Sequence, residues 1–267
     1  MARLLFIFSA ILGLLLIPGG SARMANNYLL SGETLGTDQQ LNYDKLSFVM
    51  QGDCNLVLYN GGWQSNTANR GKDCTVSLNN DGQLVIKSGD GKTVWTSGDS
   101  SPRGNYAAVL HPEGKVVVYG PEVWSAYYKG VASDVVNSSL LAGGSGVGNT
   151  PMVTNLMFSG QVLYRDGKLT TRDYMFVMQG DCNLVLYTHG GWQSNTHGNG
   201  QHCFLRLDHR GMLTIKDDSY GTVWTSGQKS AEGEYVLILQ EDAKVVVYGP
   251  AIWSTKSTGE KIAMVTV

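Results

Sequence analysis

Two nine-residue stretches of identical sequence carry the side chains best suited to chemistry. Gln51-Gly52-Asp53-Cys54-Asn55-Leu56-Val57-Leu58-Tyr59 recurs letter for letter at 179–187. Side chains on a β-strand alternate faces with a period of two. Read as a strand, the first copy sets Gln51, Asp53, Asn55, Val57 and Tyr59 in one row. Gly52, Cys54, Leu56 and Leu58 then form an apolar row on the opposite face. Gln179, Asp181, Asn183, Val185 and Tyr187 make the same polar row in the second copy. Asp accepts hydrogen bonds, Asn both donates and accepts, and Tyr does either. Such a row can bond several hydroxyls of one small polyol while the valine packs on its carbons. A merely solvated strand face also alternates polar and apolar residues. It has no need, however, to keep Gln, Asp, Asn and Tyr in the same order twice, so the repeat points to a ligand site.

The elements that must hold these rows are β-strands. The chain has 267 residues, and the two stretches lie 128 positions apart, which divides it into two similar domains. Glycine is abundant, 34 residues against a typical share of about 7%. Placed beside Asn and Asp, these glycines mark many tight turns between short strands. Helical periodicity is absent outside the N-terminus, so the fold class is all-β. The first domain spans 23–127 and the second 153–255. Within each, a strand and a Gly-containing turn lead to a tryptophan three times: Trp63, Trp95 and Trp124, then Trp192, Trp224 and Trp253. The spacings, 32 and 29 residues, are the same in both halves. Three similar sheets per domain imply pseudo-threefold symmetry, with each tryptophan trio packed at a shared axis rather than stacked on sugars.

The remaining segments read as targeting and connection. Arg3, an apolar run from Leu4 to Ile17 and the small residues up to Ala22 make a secretory signal over 1–22. The run is too short for a membrane span, which takes about 20 residues. Residues 128–152 form a flexible linker, a candidate for proteolytic cleavage. Its glycine cluster lacks the strand and helix that a phosphate-binding loop requires, and its Asn137 opens a glycosylation sequon. Residues 256–267 lack strand patterning and are expected to be a tail or propeptide. Cys54 with Cys74 and Cys182 with Cys203 match between the halves and read as disulfides of a secreted chain. A zinc site is the alternative near His197 and His202, but the first half lacks matching histidines. A formal net charge of −2 gives no electrostatic footprint for nucleic acid or an anionic membrane. No cofactor or metal is implied.

These residues closely resemble the monocot mannose-binding (snowdrop-type) lectins, and in their tandem arrangement the two-domain aroid agglutinins. The family motif Gln-x-Asp-x-Asn-x-Val-x-Tyr stands intact at 51–59 and 179–187. The Ser31-Gly32-Glu33-Thr34-Leu35 opening, the paired cysteines and the tryptophans also match. The resemblance implies two tandem β-prism II domains, each of three four-stranded antiparallel sheets. It implies that Asp53 and Asn55 bond the axial 2-hydroxyl of mannose, Gln51 the 3-hydroxyl and Tyr59 the 4-hydroxyl, with Val57 on the ring. The second row takes the same roles. An epimer with an equatorial 2-hydroxyl would leave Asp and Asn unmatched.

Four further rows depart from the motif. Those at 79–87, 111–119 and 208–216 change too many positions. The row Gln240, Asp242, Lys244, Val246, Tyr248 replaces only Asn, and is a weak candidate because the lysine can pair with Asp242. The expected function is therefore a non-enzymatic, multivalent agglutinin for terminal α-mannose on glycans and glycoproteins, in plant defence, in the secretory pathway, secreted or vacuolar. A homo-oligomer is expected, or a hetero-oligomer of the two domains if the linker is cut. A glycosidase needs two flanking carboxylates, and each intact row has one. A storage protein with a vestigial lectin fold is the other alternative.

Overall fold

The computed structural model describes residues 27–127 and 155–255, apart from 189, 190 and 228. The signal (1–22), the linker with Asn137 (128–152) and the tail (256–267) lie outside the described residues. Every regular element described is a strand. The first half supplies β1 (Tyr28–Leu30), β2 (Thr34–Leu35), β3 (Gln40–Tyr43), β4 (Leu46–Met50), β5 (Leu56–Tyr59), β6 (Trp63–Gln64), β7 (Thr75–Leu78), β8 (Leu84–Lys87), β9 (Thr93–Thr96), β10 (Ala107–His111), β11 (Lys115–Tyr119) and β12 (Glu122–Tyr127). The second half supplies β13 (Leu156–Phe158), β14 (Val162–Leu163), β15 (Lys168–Thr170), β16 (Met175–Met178), β17 (Leu184–Tyr187), β18 (Phe204–Leu207), β19 (Leu213–Lys216), β20 (Thr222–Thr225), β21 (Val236–Leu239), β22 (Lys244–Tyr248) and β23 (Ala251–Ser254).

These strands build two prisms of three antiparallel sheets each. In the first prism the sheets run β3-β4-β5-β6, β2-β7-β8-β9 and β1-β10-β11-β23. In the second they run β15-β16-β17, β14-β18-β19-β20 and β12-β22-β21-β13. The three-stranded sheet is extended by a single antiparallel bridge from Val185 to Gln193, where the first prism has β6. Inward-facing residues such as Phe48, Leu56, Leu58, Val76 and Ile86 make the first core. Phe176, Leu184, Leu186, Leu205 and Ile215 make the second.

The last strand of each half belongs to the other half's prism. β23 pairs with β11, placing Trp253 opposite Val118, and β12 pairs with β22, placing Trp124 opposite Val247. The Thr255 amide and hydroxyl clamp Val116 through two bonds of 2.9 Å. The tryptophan trios are therefore regrouped. Trp253, not Trp124, joins Trp63 and Trp95, with ring centroids 5.7–6.1 Å apart. Trp124 joins Trp192 and Trp224 at 5.7–6.2 Å. All six contacts are edge-to-face, the arrangement that the ring quadrupole favours. The chain crosses over at cis Gly120-Pro121 and cis Gly249-Pro250. There the Gly120 amide donates to the Pro250 carbonyl and the Gly249 amide to that of Pro121. Both glycines are required: φ is +144° and +148°, and a Cβ would sit 2.4 or 2.3 Å from the rings of Tyr106 and Tyr235.

The exchanged sheets also meet face to face. Tyr28, Val109, Val117 and Tyr119 pack in one cluster with Ile238, Val246 and Tyr248. Asn27 meets its own equivalent, Asn155, at 3.4 Å. Contact between equivalent residues is the mark of an approximate twofold axis. Sheets buried on both faces read as continuous apolar runs. Ala107–Leu110, Val116–Tyr119, Val236–Leu239 and Val245–Tyr248 are such runs.

Candidate functional site

The repeated stretch is not one continuous strand. Residues 51–55 form the tight turn between β4 and β5, and only 56–59 are strand. The turn closes through the Gln51 amide, which donates to the Asn55 carbonyl at 2.9 Å, and the Cys54 amide, which donates to the Gln51 carbonyl at 3.0 Å. It needs Cys54 in the left-handed region, φ 72°, a costly conformation for a residue with a Cβ. The Cys54–Cys74 disulfide ties that residue to the start of β7. Cys182, φ 73°, is held in the same way by Cys203. Both expected disulfides are thus formed, and each anchors a site turn. A bridge closing a loop of this length stabilises by about 3 kcal/mol.

The polar row survives the change from strand to turn. Gln51 Nε2 donates to the Tyr59 hydroxyl at 2.7 Å, and Gln179 Nε2 to that of Tyr187 at 2.6 Å. Both phenols are open to solvent, 47% and 44% exposed. Asp53 Oδ1 accepts the Asn55 amide at 2.9 Å, and Asp181 Oδ1 the Asn183 amide at the same distance. Asn55 is buried, and most of its capacity is already used. Its Oδ1 accepts from Ser65 Oγ and from the Thr67 amide, both at 3.1 Å. Its Nδ2 donates to Gln64 Oε1 at 2.9 Å. A carboxamide has two acceptor sites and two N–H donors. Asn55 therefore has one N–H left, and faces a ligand as a donor alone rather than as donor and acceptor. The Tyr59 hydroxyl, already accepting from Gln51, keeps its own proton to donate. Asp53 Oδ2 and Gln51 Oε1 remain as acceptors. Two donors and two acceptors on one turn-strand unit suit a set of vicinal hydroxyls.

Sequence reasoning passed over the residues that fix the asparagine. Trp63-Gln64-Ser65-Asn66-Thr67 recurs as Trp192-Gln193-Ser194-Asn195-Thr196, an identity that would have revealed them. In the second prism Gln193, Ser194 and Thr196 hold Asn183 with distances of 2.9, 3.1 and 3.1 Å. Thr67 and Thr196 are fixed in turn by the Cys54 and Cys182 carbonyls, each at 2.6 Å.

The weaker row at 240–248 is in a different position. The expected Lys244–Asp242 pair is present at 2.6 Å. The Gln–Tyr bond is present too, from Gln240 Nε2 to the Tyr248 hydroxyl at 2.8 Å. Tyr248, however, is only 4% exposed, and Val246 and Tyr248 pack in the cluster between the prisms. The expectation of a weak site at Gln240, Asp242, Val246 and Tyr248 is therefore corrected: the opposing prism occupies the place of a ligand. The 111–119 row is closed by the same contact, with Tyr119 at 3% exposure. Burial pushes the pKa of both phenols up, above the range in which tyrosines titrate. In the 79–87 and 208–216 rows the leading Asn79 and Asp208 cap their own turns. Asn79 Oδ1 accepts the Asp81 and Gln83 amides, and Asp208 Oδ1 those of Arg210 and Met212.

The two intact sites differ at their edges. Thr37 and Asp38 lie over Gly52, whereas Arg165 lies over Gly180. At the place of exposed Ala68 the second prism has His197, whose Nδ1 lies 2.7 Å from Asp181 Oδ2. An ionised carboxylate only accepts, so the histidine nitrogen is the donor. Burial raises the Asp181 pKa and is its largest single influence. The hydrogen bonds from His197 and the Asn183 amide, with the histidine charge, outweigh it and hold the carboxyl below its ordinary value. No group of three or more His, Cys, Asp or Glu placed to hold a metal occurs among the described residues.

Two three-sheeted prisms, closed on each other and each presenting an exposed polar turn, have the architecture of a tandem β-prism II lectin. A solved structure of the fetuin-binding agglutinin of Scilla campanulata, a two-domain lectin, superposes with a TM-score of 0.73. It is 33% identical and covers 86% of this chain and all of its own. Mannose-specific lectin 2 of Colocasia esculenta is 57% identical over 95% of this chain and 94% of its own length. Mannose-specific lectin 1 of Remusatia vivipara is 56% identical over 95% and 96%, and mannose-specific lectin 1 of Crocus vernus 49% identical over 96% of each. The chain belongs to the monocot mannose-binding lectin family. No protein-family model matches it.

Proposed function

We propose that this chain is a non-enzymatic lectin that binds terminal α-mannose through two turn-strand rows, Gln51–Tyr59 and Gln179–Tyr187. One observation carries the reading. In both prisms the Gln, Asp, Asn and Tyr side chains are held by matching internal hydrogen bonds that leave donors and acceptors over for a ligand. The 56–57% identical relatives are mannose-specific lectins. Each row carries a single carboxylate, whereas glycoside hydrolysis works between two. Exposed monosaccharide sites bind weakly, and two sites on one chain gain strength by engaging a branched glycan together. Oligomers of the chain, or a cut linker that leaves the two halves paired, would multiply or preserve those sites. The two disulfides fit an oxidising compartment, as in the secretory pathway.

The test is a calorimetric titration of the full chain with methyl α-mannoside, with the α-glucoside as control. Two sites per chain are expected, falling to one in Asp53→Ala and in Asp181→Ala and to none in the double variant. Unchanged binding in the double variant would overturn the assignment. The whole chain must be used, because a separated half lacks the fourth strand and third tryptophan of its prism.

A further inference from the structure

The two rows share every motif residue, yet their carboxylates are not equally available. Asp53 Oδ1 is taken by the Asn55 amide, the residue is exposed, and the sequence place of His197 holds Ala68, whose side chain has no hydrogen-bond donor. Asp181 Oδ1 is taken by the Asn183 amide in the same way, but its Oδ2 accepts His197 Nδ1 at 2.7 Å. Asn183 is buried, with its Oδ1 engaged by Ser194 and Thr196 and one N–H in use, so a hydroxyl that donates to this pair turns to Asp181, whose Oδ2 His197 already engages. A hydroxyl donating to Oδ2 competes with the histidine that already sits on it. The loop that carries His197 is bonded to the same turn through the Gly198 amide and the Asp181 carbonyl, 2.8 Å, which keeps the ring close.

We propose that His197 is a specificity-determining residue: it competes with the sugar hydroxyl for Asp181, so the second row binds α-mannoside more weakly than the first, and more weakly still on acidification. This rests on the mannose reading of both rows. Imidazoles take up a proton between about pH 5 and 8. A protonated ring adds an ion pair to the hydrogen bond and is harder to displace. Among the described residues, the charged groups near this contact include Asp181 itself, Arg165 over Gly180, and Asp166, which pairs with Arg165 at 3.5 Å. Cys182 is in a disulfide and does not titrate. The first row has alanine at this place, so its pH response serves as an internal reference.

The experiment isolates each row in the intact chain. Asp53→Ala leaves the second row and Asp181→Ala the first, and both are titrated with methyl α-mannoside at pH 8 and pH 5. Exposed ion pairs of this kind shift an equilibrium by about two- to fivefold. The second row is expected to be weaker by about that factor at pH 8, with a wider gap at pH 5. His197→Ala in the Asp53→Ala chain should restore the affinity and remove the extra pH dependence. Ala68→His in the Asp181→Ala chain should impose both. Affinity that is unchanged or lowered by His197→Ala overturns the proposal and leaves the mannose reading intact. A second row silent with and without His197, beside a working first row, also overturns it. If no chain binds mannoside at all, the proposal and the reading fall together.

Discussion

The turn at 51–59 and the turn at 240–248 carry nearly the same row, and they do opposite work. Each joins a glutamine to a tyrosine hydroxyl eight residues on, at 2.7 and 2.8 Å. Tyr59 is 47% exposed and Tyr248 4%. In the first, the asparagine is locked by Gln64, Ser65 and Thr67 and presents a donor to solvent. In the second, a lysine stands in its place and turns onto Asp242, while the valine and tyrosine become contact surface between prisms. One scaffold therefore presents an open polar row where it faces water and an internal interface where it meets its twin. The residue that replaces asparagine and the burial of the tyrosine face change together.

The sharpest way to break this contrast is to charge the valine in each row. Val246→Asp buries an unpaired carboxylate between the prisms and should cost more than about 4 kcal/mol. Val57→Asp, on a half-exposed face, should cost about 1 kcal/mol or less and lose mannoside instead. Urea unfolding of both variants, with sugar titration of the second, measures the difference. Next in size is the exchanged tryptophan. Trp253→Ala should destabilise by about 3 kcal/mol. Hydrogen exchange should speed up in β4, β5 and β8 of the first prism and stay unchanged in β16 to β19. Trp124→Ala should give the reverse pattern. Exchange that speeds up in the tryptophan's own half of the chain would contradict the regrouped trios.

Smaller effects refine the comparison. Asn55→Lys installs in the first row the residue that Lys244 supplies at 240–248. It strands the groups that held the amide, at a cost of about 1–3 kcal/mol, and should abolish mannoside binding at that row in the Asp181→Ala chain. Binding that survives would show that the asparagine contributes nothing to the ligand. The smallest effect concerns the buried phenols. Their pKa values are raised by burial, with nearby carboxylates adding to it. The folded state therefore holds these protons more tightly than the unfolded chain, in which tyrosine titrates near 10. Their contribution is complete below that pH and is lost as pH rises above it. Tyr119→Phe and Tyr248→Phe should each flatten the fall in stability measured between about pH 9.5 and 11.

Much of this was legible in the residues. Repetition of the nine-residue motif marked both candidate rows, matching cysteines gave both disulfides, and short Gly-punctuated segments gave the all-β class. Three things were not legible, each for a physical reason. Period-two reading ran the site into one strand because a turn held by an Asx contact and a left-handed cysteine keeps the same alternation. Equal tryptophan spacing cannot tell a strand that stays home from one that crosses, since both satisfy the same local pattern. Exposure of the row at 240–248 depended on its counterpart at 111–119, 129 residues away in sequence. The continuous apolar runs at 107–110 and 236–239 did signal sheets covered on both sides, although the rows themselves did not reveal it. Ala68 against His197 lay just past the repeated motif, and only its distance to Asp181 gave it meaning.

The crossing of β12 and β23 also bears on how the molecule comes off the ribosome. Val116 waits for a partner at Thr255, 139 residues further along. Contacts so far apart in sequence make slow folders. During synthesis the first prism can assemble eleven strands, but it exposes an unpaired edge at β11 until β23 emerges. Open strand edges are the usual route to misassembly of nascent chains. Neither prism can then serve as a finished template for the other, and both close in the same late step. A stop anywhere before residue 244 would leave the first prism open as well as the second.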